Sequence, residues 1–236
     1  MKKFFIAVSS LFAALFIFAA VMLKFFPEKI YVFLYPDEPF IYSSQSIEKK
    51  VTLKQGDYVT YGKYDGQPLL WKYVLDEKEP ILQNVYIIDF MPYSEISSDW
   101  ETSGLHDFLN NGDVFELGDK NGIKNGEIFV LSSGQISKLE KDDRKKTPTP
   151  QAIHKSGAKN LMLRKYCWYW TKSKISTTSL CTAAVTQRGT VYKTYITDPV
   201  TGVCPAFQLE NKSIIINAGK GTRKEPYVMK GADYEK

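Results

Sequence analysis

The chain has 236 residues, 44% of them hydrophobic and 14% aromatic, which is enough to bury one core once any targeting segment is set aside. Its formal charge is +5, but Lys2, Lys3 and Lys24 lie in an N-terminal segment without acids, and the remainder carries 28 basic against 26 acidic residues. That balance, with no nucleic-acid motif in the sequence, leaves no case for a nucleic-acid partner.

Behind Met1-Lys2-Lys3 stands an uncharged run that opens at Phe4 and closes at Leu23, with Ser9 and Ser10 its only polar residues. At about 1.5 Å per helical residue, the run is long enough to cross a hydrocarbon core of roughly 30 Å. Lys2 and Lys3 bias the N-terminus toward the cytoplasm, a bias that Lys24 and Lys29 reduce. The end of the run has no small residues spaced A-x-A and no cysteine to accept lipid. It therefore reads as an uncleaved signal anchor that makes the membrane a partner, with a cleaved signal peptide as the alternative. Pro27 cannot continue a helix's hydrogen bonding and ends the run. Phe25, Phe26, Tyr31, Phe33 and Tyr35 suit either a membrane interface or a strand or helix end packed on the domain. The proline-containing stretch 36–45 reads as linker. The division that follows is 1–26 for a cytoplasmic stub and anchor, 27–46 for a juxtamembrane linker, 47–217 for the folded domain and 218–236 for a tail.

From 51 to 74, strand-like runs alternate with turns at 54–57 and 63–67, and Leu69-Leu70-Trp71-Lys72-Tyr73-Val74 is a buried strand candidate. A second candidate is 81–90. The stretch from Ser103 to Asn110 predicts a short helix with Leu105, Phe108 and Leu109 on one face, ended by Asn110-Asn111-Gly112. Residues 127–131 read as a strand, and Ser132 or Ser133 caps a short helix reaching Leu139. The run 138–146 alternates in sign and reads as a solvated loop rather than a binding patch. It leads through Thr-Pro-Thr-Pro into a small helix over 149–155. No internal repeat is present.

The stretch 166–209 holds all three cysteines and two of the four tryptophans. Its β-favouring runs, 166–171, 180–186, 190–196 and 202–209, are broken at Arg188-Gly189 and Asp198-Pro199, which predicts four consecutive, mostly antiparallel strands. One more strand is expected at Ile214 to Ile216. Gly219-Lys220-Gly221-Thr222 with Glu225-Pro226-Tyr227 resembles a tail common at the ends of bacterial surface proteins. It is not a phosphate loop, because a lone G-x-G without strand-loop-helix context is a weak signal.

Tyr169-Trp170-Thr171-Lys172-Ser173, then Ala183-Ala184-Val185 with Arg188-Gly189-Thr190-Val191, then Gly202-Val203-Cys204-Pro205-Ala206, follow a pattern usually written W-W-L-R-S, A-x-x-V, G-x-V and G-V-R-P-A. Upstream, Gly56-Asp57-Tyr58-Val59, Gly62-Lys63-Tyr64 and Pro68 to Trp71 match a G-D-x-V-x-F-G-x-Y … P-I-x-W opening. Between them lie Trp100, Ser103, Leu105, Phe108, Leu109 and Asn110, then Thr147 to Pro150 with Ala152 and Gly157-Ala158. Over roughly 56–209 the chain thus resembles the bacterial exported domain-of-unknown-function family 6273, which is itself similar to the C-type-lectin-like superfold. Two departures stand out: the family's two arginines are Lys172 and Cys204 here. Lysine and cysteine do not supply arginine's planar fork of donors, so a ligand role is not carried over through those positions.

The remaining chemistry is sparse. On the exported side three cysteines allow one bridge, and Cys181 with Cys204 is the expected pair, with three buried thiols as the alternative. Trp168, Tyr169 and Trp170, with Lys172 and Arg188, are the ligand-binding candidates, since aromatic rings can stack on sugars. Alternation puts Trp168 and Trp170 on one face and Tyr169 on the other, and large aromatics in a small sheet are more often core. A signal anchor, His106 or His154, Thr177-Thr178-Ser179-Leu180-Cys181-Thr182 and Arg188 faintly resemble sortase transpeptidases, in which a thiolate, an imidazole and an arginine share a cleft. Sortases write T-L-x-T-C, whereas here leucine directly precedes the cysteine. No metal-ligand spacing, cofactor motif or catalytic set is present.

The expectation is an α+β fold: a C-type-lectin-like, mixed, mostly antiparallel sheet with short helices, preceded by one transmembrane helix. Its expected role is that of a non-catalytic binding module on the outer face of the bacterial cell membrane, with an envelope protein or glycan as partner. A cysteine transpeptidase and a structural envelope component are the alternatives.

Overall fold

The computed structural model describes residues 2–35, 48–77, 79–111, 115–117, 122–158, 161–175 and 180–230. The linker expected over 36–46 and the domain start at Ile47 lie outside them. Helix α1 (Lys2–Phe25) covers the uncharged run. Pro27 then opens a second helix, α2 (Pro27–Leu34), at a first-turn position where its missing N–H is no loss. Among the described residues no helix is long and apolar enough to cross a membrane. The transmembrane helix expected over 4–23 is thus not found among the described residues. The part assigned to a linker at 27–35 is structured: Tyr31 is fully buried where α2 packs on a later helix, and the Tyr35 hydroxyl donates to the Leu163 carbonyl at 3.0 Å.

Strands β1 (Lys49–Thr52), β2 (Tyr58–Tyr64), β3 (Gln67–Asp76) and β4 (Pro80–Asn84) come next. β2 and β3 close a hairpin through Asp65-Gly66, whose φ values of 52° and 70° form the left-handed pair a two-residue turn needs. The 81–90 run is not one strand. It breaks after Asn84, whose side-chain oxygen accepts from the Tyr86 N–H at 3.0 Å and turns the chain. β5 (Tyr86–Ile87) and β6 (Asp89–Phe90) then join two other sheets. In α3 (Gly104–Asn110), Ser103 caps the start by accepting from the His106 N–H, and Leu105 and Leu109 are buried. β7 (Phe115–Glu116) and β8 (Ile123–Phe129) precede α4 (Ser133–Lys138), which begins in a reciprocal cap between Ser132 and Gln135. β9 (Thr147–Pro148) runs into α5 (Pro150–Ser156), capped by Thr149 and packed against α2.

The remaining strands are β10 (Tyr169–Lys174), β11 (Cys181–Val185), β12 (Val191–Tyr195), β13 (Gly202–Val203), β14 (Ala206–Leu209), β15 (Ser213–Ala218) and β16 (Tyr227–Met229). A nine-stranded sheet has the order β1-β15-β16-β2-β3-β4-β14-β8 with β7 also on β2, and a five-stranded sheet has the order β12-β11-β10-β13-β6. β5 and β9 form a separate parallel pair. Pairing is antiparallel except there, at β10–β13 and at β16–β2. The predicted fourth strand of the 166–209 stretch is therefore two. Pro205 has no N–H to donate, and the chain leaves the smaller sheet after Val203 and enters the larger at Ala206. At the crossing only a glycine fits: a Cβ on Gly202 would stand 2.5 Å from Ile87 Cγ2 and 3.0 Å from the Trp168 carbonyl oxygen.

The segment set apart as a tail enters the fold as well, since β16 lies between β15 and β2. One hydrophobic core joins the sheets. Trp71 of β3 meets Phe207 of β14 with ring centroids 4.7 Å apart, and Trp170 of β10 meets Tyr93 at 5.5 Å. The architecture is α+β and sheet-rich, with short helices around the sheets.

Candidate functional site

The sequence candidates are not gathered into one site. Trp170 is fully buried, with its indole N–H donating to the Met91 carbonyl at 2.8 Å. Tyr169 is buried too, and its hydroxyl donates to the Arg144 carbonyl at 2.9 Å. Trp168 precedes β10, is half-buried, donates to the Gln187 side chain and meets Tyr192 edge-on at 6.2 Å. Lys172 lies with its ammonium 4.1 Å from the centre of the Phe129 ring, and Arg188 is exposed in the turn after β11.

The expected Cys181–Cys204 bridge is absent: all three cysteines are free. The reason is topological. β10 lies between β11, which carries Cys181, and β13, which precedes Cys204, and the Cys204 thiol instead donates to the Asn84 carbonyl at 3.3 Å. Burial pushes the Cys167 thiol up to about 12 and the Cys204 thiol up to about 11, the latter held back by the Lys146 ammonium. Neither is a thiolate at neutral pH. Cys181 lies in a sheet opposite Tyr195, while His106 is edge-on to Trp100 at 5.1 Å, with its imidazole 3.8 Å from Glu101. His106 borders a shallow cavity with Ser94, Glu101 and Asp107, and Cys181 does not line it. Residues 177–179 of the transpeptidase-like run lie outside the described residues.

Instead, residues far apart in sequence build a cleft of about 550 Å³. One wall is the end of α2, with Leu34 and Tyr35; another is Tyr58 and Lys72 on β2 and β3, and Tyr86 of β5 stands beside Val85. The loop before β9 brings Asp142, Asp143, Lys145 and Lys146, the segment before β10 brings Lys165 and Tyr166, and the β15–β16 loop brings Arg223. The lining thus holds five cationic side chains against two acidic ones.

Local structure holds these groups in place. The Arg144 guanidinium donates to the carbonyls of Ser137 and Leu139 and folds the 139–144 turn back on itself, while Tyr169 bonds that turn from below. Lys146 is fixed by its carbonyl, which accepts from the Cys167 N–H at 3.1 Å. Most of the cations lie over tyrosine rings: Lys72 is 5.8 Å from the centre of Tyr58, Lys145 and Lys165 are 5.8 and 5.4 Å from Tyr166, and Arg223 is 5.8 Å from Tyr86. Arg223 Nη2 also donates to the Tyr86 hydroxyl at 3.0 Å. The acids are engaged, Asp143 with Lys72 at 2.6 Å and Asp142 with Lys145 at 2.8 Å.

Lys146 differs from its neighbours. It is only 4% exposed, and among the described residues the one hydrogen-bond partner of its ammonium is the Asn84 carbonyl, at 3.1 Å. Desolvation lowers its pKa below the ordinary lysine range, against the opposing pull of Cys204 and Asp143. In a folded chain that resists protonating this amine, Lys146 costs stability most below its lowered folded pKa, and the cost fades as pH rises from there toward about 10.4, the unfolded lysine value.

Tyr86 also borders a second, more apolar cavity of about 440 Å³, lined by Tyr64, Pro68, Leu70, Ile88, Pro150 and His154 among others. Neither cavity was legible in the sequence. The 138–146 run, read as a solvated loop, supplies four of the cleft's charged groups, and the presumed tail supplies Arg223. No protein-family model matches this chain, and no curated protein or solved structure matches it significantly.

Proposed function

We propose that the chain is a membrane-anchored binding module on the extracytoplasmic face of a bacterial cell, non-catalytic, with the cleft beside α2 as its ligand site. The observation that carries this reading is the cleft's lining. Lysines, an arginine and tyrosines recognise charge and stack on rings, while both carboxylates are tied into ion pairs instead of standing ready for acid–base chemistry. The membrane part rests on the uncharged run from Phe4 to Leu23 and on the exposure of Phe12, Phe16, Ile17 and Phe18 along α1. A helix apolar all round belongs in a core or a bilayer, and these side chains have no core around them.

The resemblance to domain-of-unknown-function family 6273, found in exported proteins, supports the surface location, while the C-type-lectin-like superfold fixes no chemistry. At its second arginine position this chain has Cys204, whose thiol shares the Asn84 carbonyl with the Lys146 ammonium. A cation therefore stands beside that position after all, supplied from another part of the chain.

The test is topological. Fractionation of expressing cells should leave the whole chain, with its original N-terminus, in the membrane fraction, and external protease on intact cells should remove a C-terminal epitope. A mature N-terminus beyond Leu23, or a C-terminus untouched by protease, would overturn the anchored reading.

A further inference from the structure

We infer that the cleft beside α2 is a phosphate site, in which Lys146 and the cations around it hold a phosphate group while the tyrosines carry the body of the ligand. The inference deepens the binding-module reading and rests on it. Burying an ammonium without a carboxylate is unfavourable, and Lys146 is buried with one carbonyl as its partner. An ammonium has three protons to donate, so two remain for a ligand. Neither acid of the cleft bonds the Lys146 ammonium: Asp143 acts on it only through space while bonded to Lys72, and Asp142 binds Lys145.

The direction of the positive groups selects phosphate over carboxylate. Lys72 comes from β3, Lys145 and Lys146 from the loop before β9, Lys165 from the segment before β10, and Arg223 from the loop before β16. A tetrahedral phosphate turns oxygens to several sides and suits donors arriving from four parts of the fold better than the two coplanar oxygens of a carboxylate do. Tyr58, Tyr86 and Tyr166 each hold a cation over the ring and line the cleft beside it, where the body of a phosphate ester would lie. Leu34 and Tyr35 of α2 complete the wall, directly after the apolar helix. The phosphate therefore comes either from a lipid headgroup or from a soluble phosphate ester.

The experiment uses the full-length chain in nanodiscs of a phosphate-free betaine lipid, titrated with glycerol 3-phosphate and followed by phosphorus NMR. Saturable binding is expected, at least tenfold weaker in Lys146→Met, with a melting temperature for that variant no lower than the parent's. If Lys146→Met fails to fold, the exposed Lys165→Ala carries the test and should bind at least threefold more weakly. Lys193→Ala, on β12, should bind as the parent does. Absence of saturable binding, equal affinity in Lys146→Met and parent, unchanged affinity in Lys165→Ala when Lys146→Met does not fold, or equal weakening by Lys193→Ala would overturn the inference. Discs containing phosphatidylglycerol separate the sources: weakened glycerol 3-phosphate binding supports a headgroup in the cleft, and unchanged binding supports a soluble ester. None of these readouts depends on which side of the membrane the domain occupies, so the phosphate site and the topology fail independently.

Discussion

Trp168 and Trp170 are two positions apart, and their surroundings divide them. Trp170 is enclosed, edge-on to Tyr93, and its indole satisfies the Met91 carbonyl. Truncating it leaves a cavity and an orphaned acceptor, so Trp170→Ala should lose about 3–5 kcal/mol in urea unfolding. Trp168, half-buried beside Gln187 and Tyr192, should lose about 1 kcal/mol or less on the same substitution. A Trp170→Ala variant as stable as the parent would place that ring outside the core. The preference for core over sugar platform was legible from aromatic density in a short β-favouring run. The special standing of Lys146 was not, because Lys145 and Lys146 are the same residue side by side in a charged run. Only its burial and its bond to the distant Asn84 carbonyl set the second one apart.

At the level of elements, local chemistry spoke clearly where turns and caps are built from neighbours. Ser103, Ser132 and Thr149 cap helices within a residue or two of the expected starts. Strand continuity was less legible: the runs over 81–90 and 202–209 look unbroken, yet each is divided between sheets. The final strand shows the consequence for stability. β16 pairs with β15 on one side and β2 on the other, so a chain ending at Ala218 would leave one edge of β15 and one edge of β2 unpaired in the middle of the larger sheet. Such a truncation should abolish cooperative thermal unfolding or yield aggregated protein. If it instead melts like the parent, the segment is a tail in energetic terms.

For the molecule as a whole, the two sheets share one core: Trp71 of the larger and Trp170 of the smaller belong to the same buried cluster. Chains with a single core of this kind unfold as one unit. Guanidinium unfolding of two variants, one keeping Trp71 and the other keeping Trp170 with the remaining tryptophans replaced by Phe, should give tryptophan fluorescence curves that coincide with circular dichroism. Separate midpoints would mean that the sheets unfold independently. The near balance of charge outside the N-terminal segment hides a local excess, because the cationic residues of the cleft come from distant parts of the chain.

By itself the sequence determined the apolar N-terminal run, the β-rich character with short helices, and most helix starts. These follow from hydropathy, β-branched and aromatic content, and side chains that hydrogen-bond within three residues, all of which are local. Tertiary structure alone decided that Cys181 and Cys204 are separated by β10, that the last strand enters the middle of a sheet, and that α2 forms a wall of the cleft. It also decided that Lys146, far in sequence from Tyr86, Lys165 and Arg223, shares a cleft with them. Strand order and the burial of a single charge depend on contacts between residues tens to hundreds of positions apart, and no local pattern records them.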